Sequence, residues 1–269
     1  MHRWLMLILS LSCGAAAAEL QTGPDWIANQ EFRVGLENNP RNPDAPFLNG
    51  QLRVGGIWKD VFSWGGFSAD FTGPDAVARR QRYGSPFQPW EPGMPAYKIA
   101  MENIKTGVAE DEGFLSFRLR RDDLWMDIRI RLLPDAPLAI FEATGASSGL
   151  QPRCVLYPRV FFTALVYAPA TMPARPVERS GREFEDGIFR IPARYAVVFR
   201  PAAADHLIFS WPDDASQPRQ LWPNIGQQPL PFGLYAGHEE KDLQAMGHLG
   251  EGVRAMFMNN QHSDNGGKR

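Results

Sequence analysis

The stretch WKDVFSWGGFSADF, Trp58 to Phe71, brings two aspartates and two tryptophans into fourteen residues. Aspartates work in pairs on a glycosidic bond, one as acid and one as base or nucleophile, and their separation sets the mechanism. Asp60 and Asp70 are therefore candidates. Trp58 and Trp64 supply apolar ring faces for the C–H side of a sugar, with neighbouring acids in reach of its hydroxyls. Trp90 in SPFQPWEPG and Trp222 in QLWPNIG adjoin loop residues in the same way. Tyr157 and Arg159 in YPR add a phenol and a guanidinium. The plainer reading is that large aromatics are mostly buried, and that loop tryptophans clamp the ends of a β core.

A second constellation lies in YAGHEEKDLQAMGHLGEG, where His238, Glu239, Glu240 and His248 fall within eleven residues. Imidazole and carboxylate are the ligand types of zinc and similar ions. H-E-x-x-H places its two histidines one helical turn apart, however, and this spacing differs. A short solvated helix accounts for the same residues; for a metal, His238, Glu239 and His248 are the first to test. Glu102, Glu110, Asp111 and Glu112 in ENIKTGVAEDEG read as a solvated hairpin loop. GGIWKDVFSWGG lacks a P-loop lysine and opens no helix, and no G-x-S-x-G occurs, so no cofactor is expected and a serine hydrolase has little support. Cys154 sits among apolar residues with no nearby histidine, which suits an inert buried thiol. His206 opens the apolar run HLIFSW and suits a structural or surface place.

These residues must be positioned by strands. In LWMDIRIRLL, Leu124, Met126, Ile128, Ile130 and Leu132 fall on one side and Trp125, Asp127, Arg129 and Arg131 on the other. Strand spacing lines the arginines on one solvated face; helical spacing would scatter them. GFLSFRLRR alternates in the same way, and YKIAMENIK sets Tyr97, Ile99 and Met101 together. RDD and PDAP separate these runs as turns. CVLYPRVFFTALVY, GIFRI, RYAVVFR, HLIFSW and FGLYA are further strands. NNPRNPDAPFLNGQ reads as a loop, and the 23 prolines lie mostly between strands. Only Pro74–Arg82 and His238–Met246 look helical, both short. VRAMFM reads as a strand running into a polar tail. In the opening stretch, alternation puts Trp58, Asp60 and Phe62 on one face and Lys59, Val61 and Ser63 on the other, with Gly65-Gly66 as the turn to a return strand. A buried carboxylate needs a partner, so Asp60 is either on an open face or paired. The expected fold is all-β: one antiparallel β-sandwich with long irregular loops and one or two short helices.

The N-terminus MHRWLMLILSLSCGAAAAEL has a basic start, a short apolar run and small residues ending in Ala16-Ala17-Ala18. That is the order of a secretory signal peptide cleaved after Ala18, the apolar run being short of the roughly 20 residues of a spanning helix. Residues 1–18 are then a signal, 19–258 one β-sandwich domain and 259–269 a polar tail, either disordered or a truncation point before further domains. The mature chain is exported, periplasmic or extracellular, with no later integral membrane segment; acylation at Cys13 is the minor alternative. Cleavage leaves Cys154 alone, so no internal disulfide forms and the fold stands on its core. A net charge of −2, with the basic runs balanced by nearby aspartates, leaves no footprint for nucleic acid.

LNGQLRVGGIWKDVFSWGGFSADF and the amphipathic pair GFLSFRLRRDDLWMDIRIRLLPDAPLAIFEATG, in an exported context, together resemble the galactose-mutarotase-like β-supersandwich domains of secreted carbohydrate-active proteins. The resemblance covers Phe32 to Tyr167 and is one of strand rhythm. It implies the sandwich fold and a carbohydrate partner. The histidine acid of mutarotases has no counterpart, since no histidine lies between His2 and His206. Three functions follow as expectations: a carbohydrate-binding or accessory domain of a glycan-processing system, a polysaccharide lyase or glycoside hydrolase, or a structural or protein-interaction domain of the envelope.

Overall fold

The computed structural model describes residues 19–39, 46–84, 87, 99–158, 164–169, 175–177, 184–185, 188–189, 193–200, 205–212, 220–221, 226–238 and 242–261. The segment read as a signal peptide, with Cys13, and the last eight residues of the tail lie outside them. In chain order the described strands are β1 (Gln21–Thr22), β2 (Trp26–Ala28), β3 (Phe32–Glu37), β4 (Phe47–Val54), β5 (Ile57–Phe71), β6 (Ala100–Ala109), β7 (Glu112–Arg121), β8 (Leu124–Leu132), β9 (Leu138–Ala146) and β10 (Leu150–Pro158). They continue with β11 (Ala164–Pro169), β12 (Arg175–Val177), β13 (Phe184–Glu185), β14 (Ile188–Phe189), β15 (Ala193–Arg200), β16 (Asp205–Ser210), β17 (Gln220–Leu221), β18 (Gly226–Pro229) and β19 (Phe232–His238). Helix α1 (Ala76–Tyr83) follows β5, and α2 (Leu243–Gln261) follows β19.

Two antiparallel sheets form the sandwich. The first runs β1-β2-β3-β4-β5-β10-β18-β17 and the second β12-β11-β15-β16-β19-β9-β8-β7-β6. Alternation explains which faces meet. Leu115, Phe117 and Leu119 of β7 and Leu124, Met126, Ile128, Ile130 and Leu132 of β8 are buried, as are Phe32, Val34 and Leu36 of β3 opposite. Phe67 and Phe117 meet edge to face at 5.4 Å inside this core. Two-residue turns fix the hairpin registers: Glu110-Asp111 joins β6 to β7, and Asp122-Asp123 joins β7 to β8.

Four local readings of the sequence are corrected. Gly65-Gly66 is not a turn. β5 runs unbroken from Ile57 to Phe71, and the turn before it is Gly55-Gly56, both at positive φ, with Val54 opposite Ile57. Gly65 instead lies where a Cβ would come within 2.8 Å of Leu156, so it is small because neighbouring strands crowd it. Second, FLNGQ belongs to strand β4 and not to a loop. Third, VRAMFM is helical. Val253, Ala255 and Phe257 alternate over six residues, but the buried set Met246, Gly250, Val253 and Phe257 follows helical spacing. The helix begun near Leu243 therefore continues to Gln261. Fourth, Arg131 is not solvated.

Helix α2 covers part of the outer face of the second sheet, where Leu138, Ile140, Tyr195, Val197 and Ile208 pack against Met246, Val253 and Phe257. Arg131 is 2 % exposed; it pairs with Glu112 and Glu142 at 2.8 Å each and donates to the Asn260 carbonyl at 2.9 Å. The strand arginine thus holds the last turn of α2, whose final carbonyls lack helical partners. Among the described residues no helix is long and apolar enough to cross a membrane.

Candidate functional site

The outer face of the first sheet carries the candidate site. In FRVGLE, Phe32, Val34 and Leu36 enter the core, so Arg33, Gly35 and Glu37 face outward. In LNGQLR, Leu48 and Leu52 enter the core and Asn49, Gln51 and Arg53 take the opposite face. Antiparallel register sets these residues side by side. Trp26, Gly35 and Asn49 form one row across β2, β3 and β4; Arg33, Gln51 and Asp60 form the next across β3, β4 and β5; Arg53 stands opposite Trp58.

A bulge in β5 settles where Asp60 points. Gly50 pairs with Phe62 and the next residue, Gln51, with Asp60, so Val61 is an extra residue. Phe62 and Val61 both reach the core, while Asp60 stays outside with Trp58. Asp60 is exposed and also paired: Gln51 Nε2 donates to its Oδ1 at 2.8 Å. Gln51 Oε1 in turn accepts from Arg33 Nε at 2.8 Å and from Arg33 Nη2. The Arg33 guanidinium lies 5.6 Å from the centroid of Trp26 and 5.1 Å from that of Trp58, and Arg53 lies 5.9 Å from Trp58. Cation and ring faces attract one another through the ring quadrupole.

Beside this row is a cavity of about 150 Å³ lined by Trp26, Arg33, Gly35, Leu36, Glu37, Asn49 and Gln51. It exists because Gly35 has no side chain: a Cβ there would sit 2.7 Å from the Trp26 Cβ. Asn49, only 5 % exposed, forms one wall. Its Nδ2 donates to Glu37 Oε1 and makes a long 3.5 Å contact with Asp60 Oδ1. The carbonyl Oδ1 of Asn49 is buried with no hydrogen-bond partner among the described residues. A buried orphan acceptor costs about 1–3 kcal/mol. Turning the amide over would set that oxygen against two carboxylates, so the pairing itself fixes the orientation.

The second sheet carries a superficially similar cluster that is self-contained. Arg118 donates to Asp127 through Nε at 2.6 Å and Nη2 at 2.7 Å while lying 4.6 Å from the Trp125 centroid. This bidentate pair raises the guanidinium's proton affinity and engages both carboxylate oxygens.

Trp58 and Asp60 are therefore brought together. Asp70 is on the same strand ten residues on, roughly 30 Å at strand rise, and pairs with Arg153 at 2.7 Å. Asp60 instead shares the Asn49 amide with Glu37. Trp64 lies within β5 and Tyr157 within β10, opposite Ser63, but their side chains lie outside the described residues, as do Trp90, Arg159, Trp222 and Glu239 altogether. His238 ends β19 with Nδ1 2.6 Å from Asp205 Oδ1, and His248 is exposed on α2. Among the described residues no group of three or more His, Cys, Asp or Glu gathers to hold a metal. Trp211 and Cys154 are fully buried, and burial pushes the Cys154 thiol well up, away from the reactive thiolate. Sequence reasoning missed Arg33, Glu37, Asn49 and Gln51, and left Trp26 off the candidate list. The alternation of FRVGLE and LNGQLR was the available signal.

No family model and no curated protein sequence matches the chain. Solved structures do. An alpha-mannosidase from Enterococcus faecalis V583 superposes with a TM-score of 0.55 at 10 % identity, over 89 % of this chain and 32 % of that one. A protein in the glycosyl hydrolase family 38 from Enterococcus faecalis gives 0.53 at 10 % identity, over 89 % and 33 %. The chain thus shares its fold with part of these larger proteins and spans about a third of their length.

Proposed function

We propose that this chain is an exported β-sandwich that contacts carbohydrate through the outer face of its first sheet, as a binding or accessory domain of a glycan-processing system. The observation that carries the reading is the row Arg33–Gln51–Asp60 between Trp26 and Trp58, beside the cavity over Gly35. Indole faces next to fixed donors and acceptors match the split character of a sugar, apolar on its C–H faces and polar at its rim. The fold shared with glycoside hydrolases supports the reading by analogy only. The supersandwich resemblance and the leader-like N-terminus add to it.

The test is a glycan array probed with the chain from Glu19 onward, beside an Asp60→Ala variant. Retention of at least one glycan class, weakened roughly tenfold or more by the variant, is expected, since a buried or shared hydrogen bond to a charged group contributes about 1.5–3 kcal/mol. Failure of the unaltered chain to bind any glycan would sink the proposal and favour a protein-interaction role. One observation favours a hydrolase as second reading: Glu37 and Asp60 meet at one amide, which brings two carboxylates close together. Release of reducing ends from the retained glycans, lost in Glu37→Gln, would establish it.

A further inference from the structure

We infer that the slot over Gly35 takes an uncharged saccharide through adjacent hydroxyls, in preference to a uronate, a sulfated sugar or an amino sugar. The inference rests on the carbohydrate reading above and narrows it to a substrate class.

Charge balance is the first argument. Arg33 and Glu37 are the charged residues lining the slot, and they cancel. Asp60 and Arg53 at its margin cancel in turn. A site for an anionic or cationic sugar is built with an excess of the opposite sign, because an ion leaving water must be compensated. The second argument is the posture of Arg33. Carboxylates and sulfates are gripped by a guanidinium that presents its fork. Here Nε and Nη2 of Arg33 both donate to Gln51 Oε1, and the group lies against Trp26 and Trp58, so its side-on fork is already taken by a neutral amide.

Asn49 supplies the third argument. Its amide nitrogen serves two carboxylates while its buried carbonyl has no partner among the described residues. Two acceptors, Glu37 and Asp60, therefore meet at the Asn49 amide nitrogen beside the slot, while the Asn49 carbonyl is turned away from them. A vicinal diol supplies one donor for each carboxylate. Hydroxyls donating to Glu37 and Asp60 replace the Asn49 N–H groups there. The amide is then free to rotate and turn its carbonyl to a further hydroxyl. Gly35 leaves the room for the sugar ring beside Trp26, a space that any side chain at that position would fill.

The experiment titrates the chain from Glu19 with three oligosaccharide sets, neutral, uronate-bearing and amino-sugar-bearing, following tryptophan fluorescence at 20 mM and 500 mM NaCl. Binding by the neutral set, changing less than about twofold between the two salt concentrations, is expected. Asn49→Ala and Gly35→Ala should each weaken it tenfold or more, while Arg118→Ala on the other sheet leaves it unchanged. Near-UV circular dichroism separates loss of binding from loss of fold, and Asn49→Ala serves if Gly35→Ala does not fold. Preferential, salt-sensitive binding of a charged set overturns the inference and spares the carbohydrate reading. Neutral binding that persists in both folded variants also overturns it by placing the ligand elsewhere. Binding by none of the three sets overturns both.

Discussion

At the scale of single residues, Asp60 and Tyr195 show side chains whose state is set by their surroundings in the fold. Asp60 faces outward only because Val61 is an inserted residue; a regular strand would have carried it with Phe62. Tyr195 is buried beneath α2, and its hydroxyl donates to the Gly247 carbonyl at 2.9 Å. Burial, with a smaller contribution from the Glu251 charge, pushes the phenol up to about 12 from the usual 10. The neutral form is thus favoured in the folded chain. Its contribution is complete below pH 10 and is lost as pH rises from 10 to about 12, because the unfolded phenol ionises first. Urea denaturation between pH 8 and 12 should show an alkaline loss of roughly 2 kcal/mol that Tyr195→Phe lacks. The variant itself should be about 1 kcal/mol less stable at pH 7, from the lost hydrogen bond. Parallel curves for the two proteins would remove this account of Tyr195.

Among the elements, the seating of α2 separates two arginines that sequence alone makes look alike. Arg118 and Arg131 both lie on outward positions of the amphipathic hairpin formed by β7 and β8. Arg118 is 38 % exposed, and its pair with Asp127 is screened by water. Arg131 is sealed by α2, with Glu112, Glu142 and the Asn260 carbonyl as partners. Arg118→Ala should therefore cost no more than about 1 kcal/mol. Arg131→Ala strands two mostly buried carboxylates and should cost about 3–5 kcal/mol, with early amide exchange in the last turn of α2. Equal costs for the two substitutions in urea melts would contradict this seating of the helix. FRVGLE and LNGQLR could have been read as strands from their alternation. VRAMFM could not, because six residues satisfy period two and helical spacing equally. Only the residues back to Met246 distinguish them, and Phe257 packing on Gly233 of β19 decides the matter in space.

Across the whole molecule, the two sheets share one core. Phe32, Phe62, Phe67 and Phe71 from the first belong to the same buried cluster as Leu115, Phe117, Met126 and Phe141 from the second. Neither sheet can keep its inner face dry alone, so calorimetry and tryptophan fluorescence should report one coincident unfolding transition. Two resolved transitions would mean that the sheets fold independently. Alternation in β7 and β8, the turn between them and the position of α1 were legible in the sequence, because short-range sterics and burial period determine them. The loop read over Glu102–Glu112 was right only at Glu110-Asp111, since Glu102 belongs to β6 and Glu112 to β7, paired with Arg131. The all-β class and the sandwich followed from the same signals. The site was legible only in part. Trp58 and Asp60 stood out by type, but their partners Trp26, Arg33, Glu37, Asn49 and Gln51 come from three other strands. Pairing register alone makes those residues neighbours, and register reflects long-range packing and the irregularities of β5 against β4. The chain's own sequence determined which residues face outward along the regular strands; the tertiary structure decided the facing in bulged β5 and which outward residues meet, because contacts between strands are set by the shared core and not by distance along the chain.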